Sequence, residues 1–362
     1  MGKKLKVAVI GSGFISNIAH IPAWRSLDKD VEVVAVADVN EGIAKETASR
    51  HGIAEYFSDY RLMLDRVNPD IVSVATPNAF HKEPAIASLE AGAHVMCEKP
   101  LGINAAQGRE MYAAAKRAGK MLFVSQTGRF GPGVTAAKAL YDEGYVGTPY
   151  FAETNIVRRR GVPKWGNFHI KEQNIAGPGF DIGVHALDTI IWFIGPSPVI
   201  SASGKAYSEI EKQGEYLVES DIEFSDRFTP RPYLNSEFDV DDFTVAFIRL
   251  ENNITISMKA SWALNAPEET NVTYISGTKG GIQIFPAPVV YTTSGGYMVD
   301  IVPKVQTVDL IPFQGHHRCA AHFLRAIRGE EELIVTQEQV LNVLSIIDLI
   351  YESDKKNFEV SR

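Results

Sequence analysis

Over the first third of the chain, short β-branched apolar runs alternate with longer stretches whose apolar positions recur at helical spacing. That alternation predicts βαβ units and a parallel sheet. The expected strands are 6–10, 31–37, 71–75, 94–97 and 121–125, and the expected helices 15–27, 41–51, 60–66, 83–91 and 105–118. Each helix is closed by Gly, Asn-Pro or a polar turn. The alternation stops near Gln126. After one more helical stretch, 134–143, the pattern becomes strand-rich at 149–157, 199–207, 243–250, 254–263, 271–276 and 281–285, with Gly and Asn turns that imply a largely antiparallel sheet. Two helices close the chain. Thr336-Gln337-Glu338-Gln339 fits a capping box, and Val340, Val343, Leu344, Ile347 and Ile350 form an apolar stripe expected to pack into a core. The expected organisation is therefore an α/β domain over 1–126 and an α+β domain with a large, mostly antiparallel open sheet over 127–362.

Composition narrows the partners. The 362 residues carry a formal charge of −8, which argues against a nucleic-acid or anionic-membrane partner held by bulk electrostatics. No apolar run approaches the roughly 20 residues that span a bilayer. The basic start Met1 to Lys6 leads only into the short apolar run Val7 to Ile10, so no signal peptide is expected. Cys97 and Cys319 are far apart and lack ligand spacing, which suits a reducing cytoplasm. Most of the negative charge is local: residues 205–242 hold 11 acidic against 4 basic side chains. Bordering a pocket, that stretch would disfavour anionic substrates; as a solvated loop or an oligomer contact it would not.

Candidate chemistry begins where Val7-Ala8-Val9-Ile10 enters Gly11-Ser12-Gly13-Phe14-Ile15-Ser16. In a dinucleotide-binding Rossmann turn the first glycine makes the bend, and the second lets a pyrophosphate approach the helix start at Phe14 and Ile15. Ser16 stands where the third glycine is usual. Asp38 ends the second strand, where a carboxylate accepts from adenosine ribose hydroxyls and repels a 2′-phosphate, so NAD is expected over NADP. Thr76, Asn78 and His81 follow the third long strand, Glu98 and Lys99 the next, and Gln126 the last. Cofactors of open parallel sheets bind outside these strand ends. Lys99 there can stabilise a substrate oxygen; read alone, Glu98-Lys99 is equally a surface ion pair.

A second constellation is Gly177-Pro178-Gly179-Phe180-Asp181-Ile182-Gly183-Val184-His185. Asp181 and His185 are four apart, hence expected on one helix face, where the carboxylate can orient an imidazole that takes an alcohol proton. The glycines would let the helix start approach a ligand. Asp188 could support either helix packing or the imidazole, and an exposed Asp/His pair is the plain alternative.

Taken together, Gly11-Ser12-Gly13, Thr76-Pro77-Asn78, Glu98-Lys99-Pro100 and Asp181-Ile182-Gly183-Val184-His185 resemble the glucose-fructose oxidoreductase / inositol dehydrogenase / rhizopine-catabolism (Gfo/Idh/MocA) family. The resemblance implies Lys99 and His185 as a catalytic pair with Asp181 beside them, and Glu98, Asn78 and His81 as cofactor contacts. It also implies an open sheet that builds homodimers or homotetramers. The segment 158–168 is similar to one in members that oxidise sugars or glycosides, including at C3. There Trp165 would stack on a pyranose and Arg159 would bond its hydroxyls, the bland alternative being a solvated basic loop. Pro178 and Gly128 depart from the family pattern beside the expected pocket, so the chemistry carries over more firmly than the substrate. The expected activity is reversible NAD(H)-dependent oxidation of a secondary hydroxyl of a neutral sugar, glycoside or cyclitol. Two alternatives stand beside it: a nicotinamide-binding regulator without turnover, and a reductase of a non-carbohydrate substrate such as a dihydrodiol. No metal site is expected; His316, His317 and His322 read as ordinary residues of the second domain.

Overall fold

The computed structural model describes residues 4–163, 166–210, 235–305 and 313–362. Two compact units emerge: 1–127 together with 309–340, and 128–308 together with 341–362.

In the first unit β1 (Leu5–Ile10), β2 (Val31–Ala37), β3 (Glu55–Phe57), β4 (Ile71–Val74), β5 (His94–Cys97) and β6 (Leu122–Val124) form one sheet in the order β3-β2-β1-β4-β5-β6. All pairs are parallel. Every residue of β4 is buried, as a sheet covered on both faces requires. β3 was not expected, because three residues are too few to show a period. The chain returns between strands through a π-turn at Ser16–His20, α1 (Ile21–Arg25), α2 (Glu41–His51), α3 (Tyr60–Val67), α4 (Lys82–Glu90) and α5 (Ala105–Ala118). Asn40, Asp59 and Asn104 cap α2, α3 and α5 with their side-chain oxygens. Strand order reverses between β1 and β4, which opens a crevice at their carboxyl ends.

The second unit holds α6 (Pro132–Asp142), β7 (Pro149–Val157), α7 (Lys171–Asn174), α8 (Pro178–Asp181), α9 (Gly183–Ile194) and β8 (Val199–Tyr207). Then come β9 (Phe243–Leu250), β10 (Thr255–Ser261), β11 (Thr270–Gly277), β12 (Gly280–Phe285), β13 (Val289–Ser294) and β14 (Tyr297–Ile301). With the terminal β15 (Val360–Ser361) they make a nine-stranded sheet in the order β14-β13-β12-β11-β7-β10-β9-β8-β15. Among the described residues of this sheet, only β7 and β10 pair in parallel. Alternation along β9 sends Thr244, Ala246, Ile248 and Leu250 inward, while Phe247 stays 42% exposed on the open face.

Two helices remain, α10 (Gln314–Ile327) and α11 (Gln337–Lys356). The reading of 127–362 as one continuous second domain needs revision, because α10 belongs with the first unit. There Phe323 stacks on Phe123 of β6 with ring centres 5.3 Å apart, and Arg328, just past α10, pairs with Asp30. α11 starts at the expected capping box: the Thr336 N–H donates to Gln339 Oε1 and the Gln339 N–H to Thr336 Oγ1, both at 3.3 Å. Its stripe packs as expected, with Val343, Ile347 and Ile350 in one core with Ile190, Ile248 and Met258.

Beneath that core lies a charge pair. Arg129 donates from Nε and Nη2 to the two oxygens of Asp188, both at 2.7 Å, with the side chains 0% and 2% exposed. Asp188 thus supports helix packing. Removing one partner strands a buried charge, so Asp188→Ala is expected to cost about 3–5 kcal/mol. Lys356→Ala, which breaks an exposed pair with Glu352, should cost under about 1 kcal/mol. Urea denaturation of both variants checks the contrast; equal losses would mean that Arg129 finds another partner.

Candidate functional site

The ligand edge of the first unit is built on Gly11. Its φ is +92°, and a Cβ there would lie 2.5 Å from the Ala75 carbonyl oxygen. The turn therefore presses directly on the end of β4. A Cβ on Gly13 would meet nothing within 4 Å, leaving room above the helix start at Phe14 and Ile15. The Ser16 hydroxyl donates to the Gly11 carbonyl, so the residue in the third glycine's place closes the turn. Asp38 accepts the Ser12 N–H on Oδ2 and the Asn40 N–H on Oδ1, both at 2.9 Å. These bonds hold its carboxylate beside the glycine turn.

Along the same edge, Thr76 Oγ1 donates to the Phe80 carbonyl at 2.9 Å, and Asn78 is buried in a single turn of 3₁₀ helix. The His81 ring lies at 2.7 Å from the Pro100 carbonyl and 2.9 Å from the Thr76 carbonyl, fully buried. A neutral imidazole has one N–H and donates to one of these carbonyls at a time, and the ring bridges the two turns. Burial lowers its pKa despite those bonds. Lys99 is half-buried and precedes a cis Pro100. Gln126 is 3% exposed, and its Oε1, with Ser12 Oγ and Ser125 Oγ, finds no partner among the described residues. Orphaned polar atoms at the ends of β1 and β6, an open Gly13 and an oriented Asp38 are what a dinucleotide would complete.

Glu98 is held in a way the sequence did not announce. Its Oε1 lies 2.9 Å from His20 Nε2 and 3.1 Å from His316 Nε2, although His316 stands 218 positions away. Burial alone would raise this carboxyl, but the two imidazoles outweigh it and hold it well below the usual carboxylate range. His316 is therefore not an ordinary second-domain residue. The three groups are of metal-binding type and lie within 4.8 Å of one another, yet both contacts have hydrogen-bond length. His322 lies beside nearby Glu331, and His317 beside Ser26, 291 positions away in the chain.

In the second unit, Asp181 ends α8 and His185 lies in the first turn of α9. A break at Ile182 separates them, so the expected single helix is two. The Asp181 N–H bonds the Gly177 carbonyl at 3.0 Å, and the His185 N–H bonds that of Ile182 at 3.2 Å. The preceding glycines serve packing, not the ligand approach expected of them. A Cβ on Gly177 would lie 1.8 Å from the Asp241 carbonyl oxygen, and one on Gly179 2.7 Å from Thr244 Oγ1 and 2.8 Å from Tyr351 Oη. Asp241 ties this start down by accepting the Gly177 N–H at 2.7 Å, the Thr244 hydroxyl at 2.6 Å and the Tyr351 hydroxyl at 3.2 Å. Burial raises the Asp241 carboxyl, and burial with that carboxylate's charge pushes the Tyr351 hydroxyl well up, so it stays a donor. Arg159 is exposed, its N–H bonded to Glu269 Oε1 at 2.8 Å. Trp165, and 211–234 of the acidic stretch, lie outside the described residues.

Two family models match: "Oxidoreductase family, NAD-binding Rossmann fold" over residues 5–126 and "GFO/IDH/MocA C-terminal domain" over 134–283. D-glucoside 3-dehydrogenase of Escherichia coli (strain K12) is 32% identical over 351 residues, 96% of this chain and 95% of that one. Levoglucosan dehydrogenase of Pseudarthrobacter phenanthrenivorans is 31% identical over 293 residues, 77% of this chain and 73% of that one. A solved levoglucosan dehydrogenase in complex with NADH and levoglucosan shares the fold with a TM-score of 0.82 at 23% identity, covering 99% of each chain.

The two glycine environments predict opposite variants. Gly13→Ala should leave the melting temperature within about 2 °C, since its Cβ meets only open space, while weakening dinucleotide binding at least about tenfold. Gly177→Ala should destabilise by about 3 kcal/mol or fail to fold, because a backbone carbonyl blocks its Cβ. Thermal melts with NADH titration read both.

Proposed function

We infer the reaction from one premise: this chain belongs to the Gfo/Idh/MocA oxidoreductase family, matching its N- and C-terminal models and a curated dehydrogenase over nearly its whole length. It is an NAD-dependent dehydrogenase that oxidises a secondary hydroxyl of a sugar, glycoside or cyclitol to a ketone. The observation that carries this reading is the full-length likeness to a glucoside 3-dehydrogenase, joined to a strand edge whose Gly13 opening, Asp38 carboxylate and orphaned Gln126 suit a dinucleotide.

Gly11, Gly13, Phe14 and Ile15 would hold the pyrophosphate, Asp38 the adenosine ribose, and Thr76, Asn78, Glu98 and Gln126 the nicotinamide half. When bound, NAD supplies the acceptor for the hydride leaving the carbinol carbon. His185 takes the hydroxyl proton, so the alcohol loses one hydride and one proton and becomes a ketone. Lys99 donates a hydrogen bond to the oxygen and stabilises the negative charge that grows on it. Asp181 lies near in sequence and supports the imidazole, and Arg159 and Trp165 grip the sugar. In the reverse direction the same two groups protonate and polarise a keto-sugar.

The acidic stretch supports a neutral substrate. The open sheet face with its exposed Phe247 supports a homodimer or homotetramer. Two buried free thiols, Cys97 and Cys319, support a reducing cytoplasm.

A panel of inositols, hexoses and glycosides with NAD, followed at the NADH absorbance, tests the activity, and silence across the panel with NAD bound would overturn it. Lys99→Ala and His185→Ala should each lower kcat at least about tenfold, within the roughly 100- to 10,000-fold range of proton-transfer help. Asp38→Ser should raise kcat/KM with NADP relative to NAD at least about tenfold, since the carboxylate that repels a 2′-phosphate is gone.

A further inference from the structure

Glu98 sits at the carboxyl end of β5, its backbone N–H bonded to the Val74 carbonyl at 2.9 Å and its side chain 10% exposed. Two separate parts of the first unit converge on it, and a third supports one of them. The π-turn Ser16–His20 delivers His20 as its last residue, and α10 delivers His316. From β4, Ser73 lies 2.9 Å from His20 Nδ1. Single π-turns inside helices recur at functional sites because the extra residue re-aims a side chain.

The protons can be placed by elimination. Trp24 Nε1–H donates to Ser73 Oγ at 3.1 Å. A neutral His20 has one N–H, and a bare Nε2 lone pair facing a carboxylate oxygen at 2.9 Å would repel it. Nε2 therefore carries the proton, and Nδ1 accepts from the Ser73 hydroxyl. The chain Trp24 to Ser73 to His20 to Glu98 is a directed relay with each donor used. His316 Nε2 brings a second N–H to the same Oε1, its ring edge-on to His20 with centres 5.2 Å apart. With Oε1 doubly taken, the other oxygen, Oε2, lies 3.2 Å from the Lys99 backbone N–H.

We propose that His20 and His316 are positioning residues that fix Glu98 in one rotamer with Oε1 saturated, and so set the Glu98-Lys99-Pro100 turn from which Lys99 reaches the substrate. The clamp rests on the dehydrogenase reading for its consequence, not for its geometry. Burial lowers the pKa of His20, which favours its neutral form. Besides the two imidazoles, the titratable groups around this carboxylate are Lys99, the buried thiol of Cys97 and His81. Remove one donor and the balance tips: desolvation, no longer opposed by two N–H groups, favours the protonated acid, and Glu98 loses its orientation.

The test uses the whole chain in three forms: wild type, His316→Ala and His316→Gln. In ¹⁵N-histidine-labelled protein without cofactor, the wild type should show two exchange-protected imidazole Nε2–H protons, shifted downfield by the carboxylate, and His316→Ala should retain one. In turnover, His316→Ala should lower kcat by about tenfold and move the acid limb of the pH profile upward by about one unit. His316→Gln, whose amide N–H can still donate, should restore most of both. A superposable pH profile in His316→Ala, or no downfield Nε2–H in the wild type, overturns the clamp. So does stoichiometric zinc in the purified wild type that His316→Ala loses, which would make the cluster a metal site instead. Because the proton signals require neither cofactor nor sugar, they separate a failed clamp from a failed dehydrogenase assignment. If His316→Ala does not fold, the Gln variant and the wild-type spectrum still decide.

Discussion

Gly11 lies so close to the end of β4 that no side chain could separate them, and the nucleotide edge follows from that contact. Pressing the first turn onto Ala75 puts the Ser12 N–H within reach of Asp38 and starts the following helix beside the open space at Gly13. The constraint is topological as well as steric. In an all-parallel sheet every strand ends on the same side, and the order reverses only between β1 and β4, so polar residues that end separate strands share one edge.

Both units use buried carboxylates as anchors, with different neighbours. Glu98 takes two imidazole N–H groups and a backbone N–H; Asp241 takes two hydroxyls and a backbone N–H. Imidazoles hold their carboxylate low and charged, whereas the hydroxyls around Asp241 do not fully offset burial. Asp188 is a third case, matched to a guanidinium by two 2.7 Å bonds. In each, the cost of taking a polar group out of water is met by several donors at once, which makes the surrounding geometry intolerant of change. Glu98 bonds the backbone of Lys99, and Asp241 that of Gly177.

Much of this was legible in the chain. The strands 149–157, 199–207 and 243–250 follow from alternation alone and match to the residue, because one face of each is buried. The hairpin β13–β14 was missed although Gly295-Gly296 marks its turn, since its strands are largely exposed and show little apolar contrast. The Gly-Pro-Gly run was visible but its purpose was not. Sequence shows that side chains are missing at Gly177 and Gly179, and only coordinates show that Asp241, Thr244 and Tyr351 fill the space.

By itself the sequence determined what is periodic or local: the parallel and antiparallel layers, the capping box at Thr336, the glycine turn with Asp38 behind it, and the motifs that place this chain in its family. Tertiary structure decided what is long-range. It moved α10 into the first unit, set the His81 ring between two backbone turns, gave Asp188 to Arg129, and brought His20 and His316 onto Glu98. The physical reason is that helix and strand periods are written over a few residues, whereas a buried carboxylate draws its donors from any segment the fold brings near, however distant in the chain.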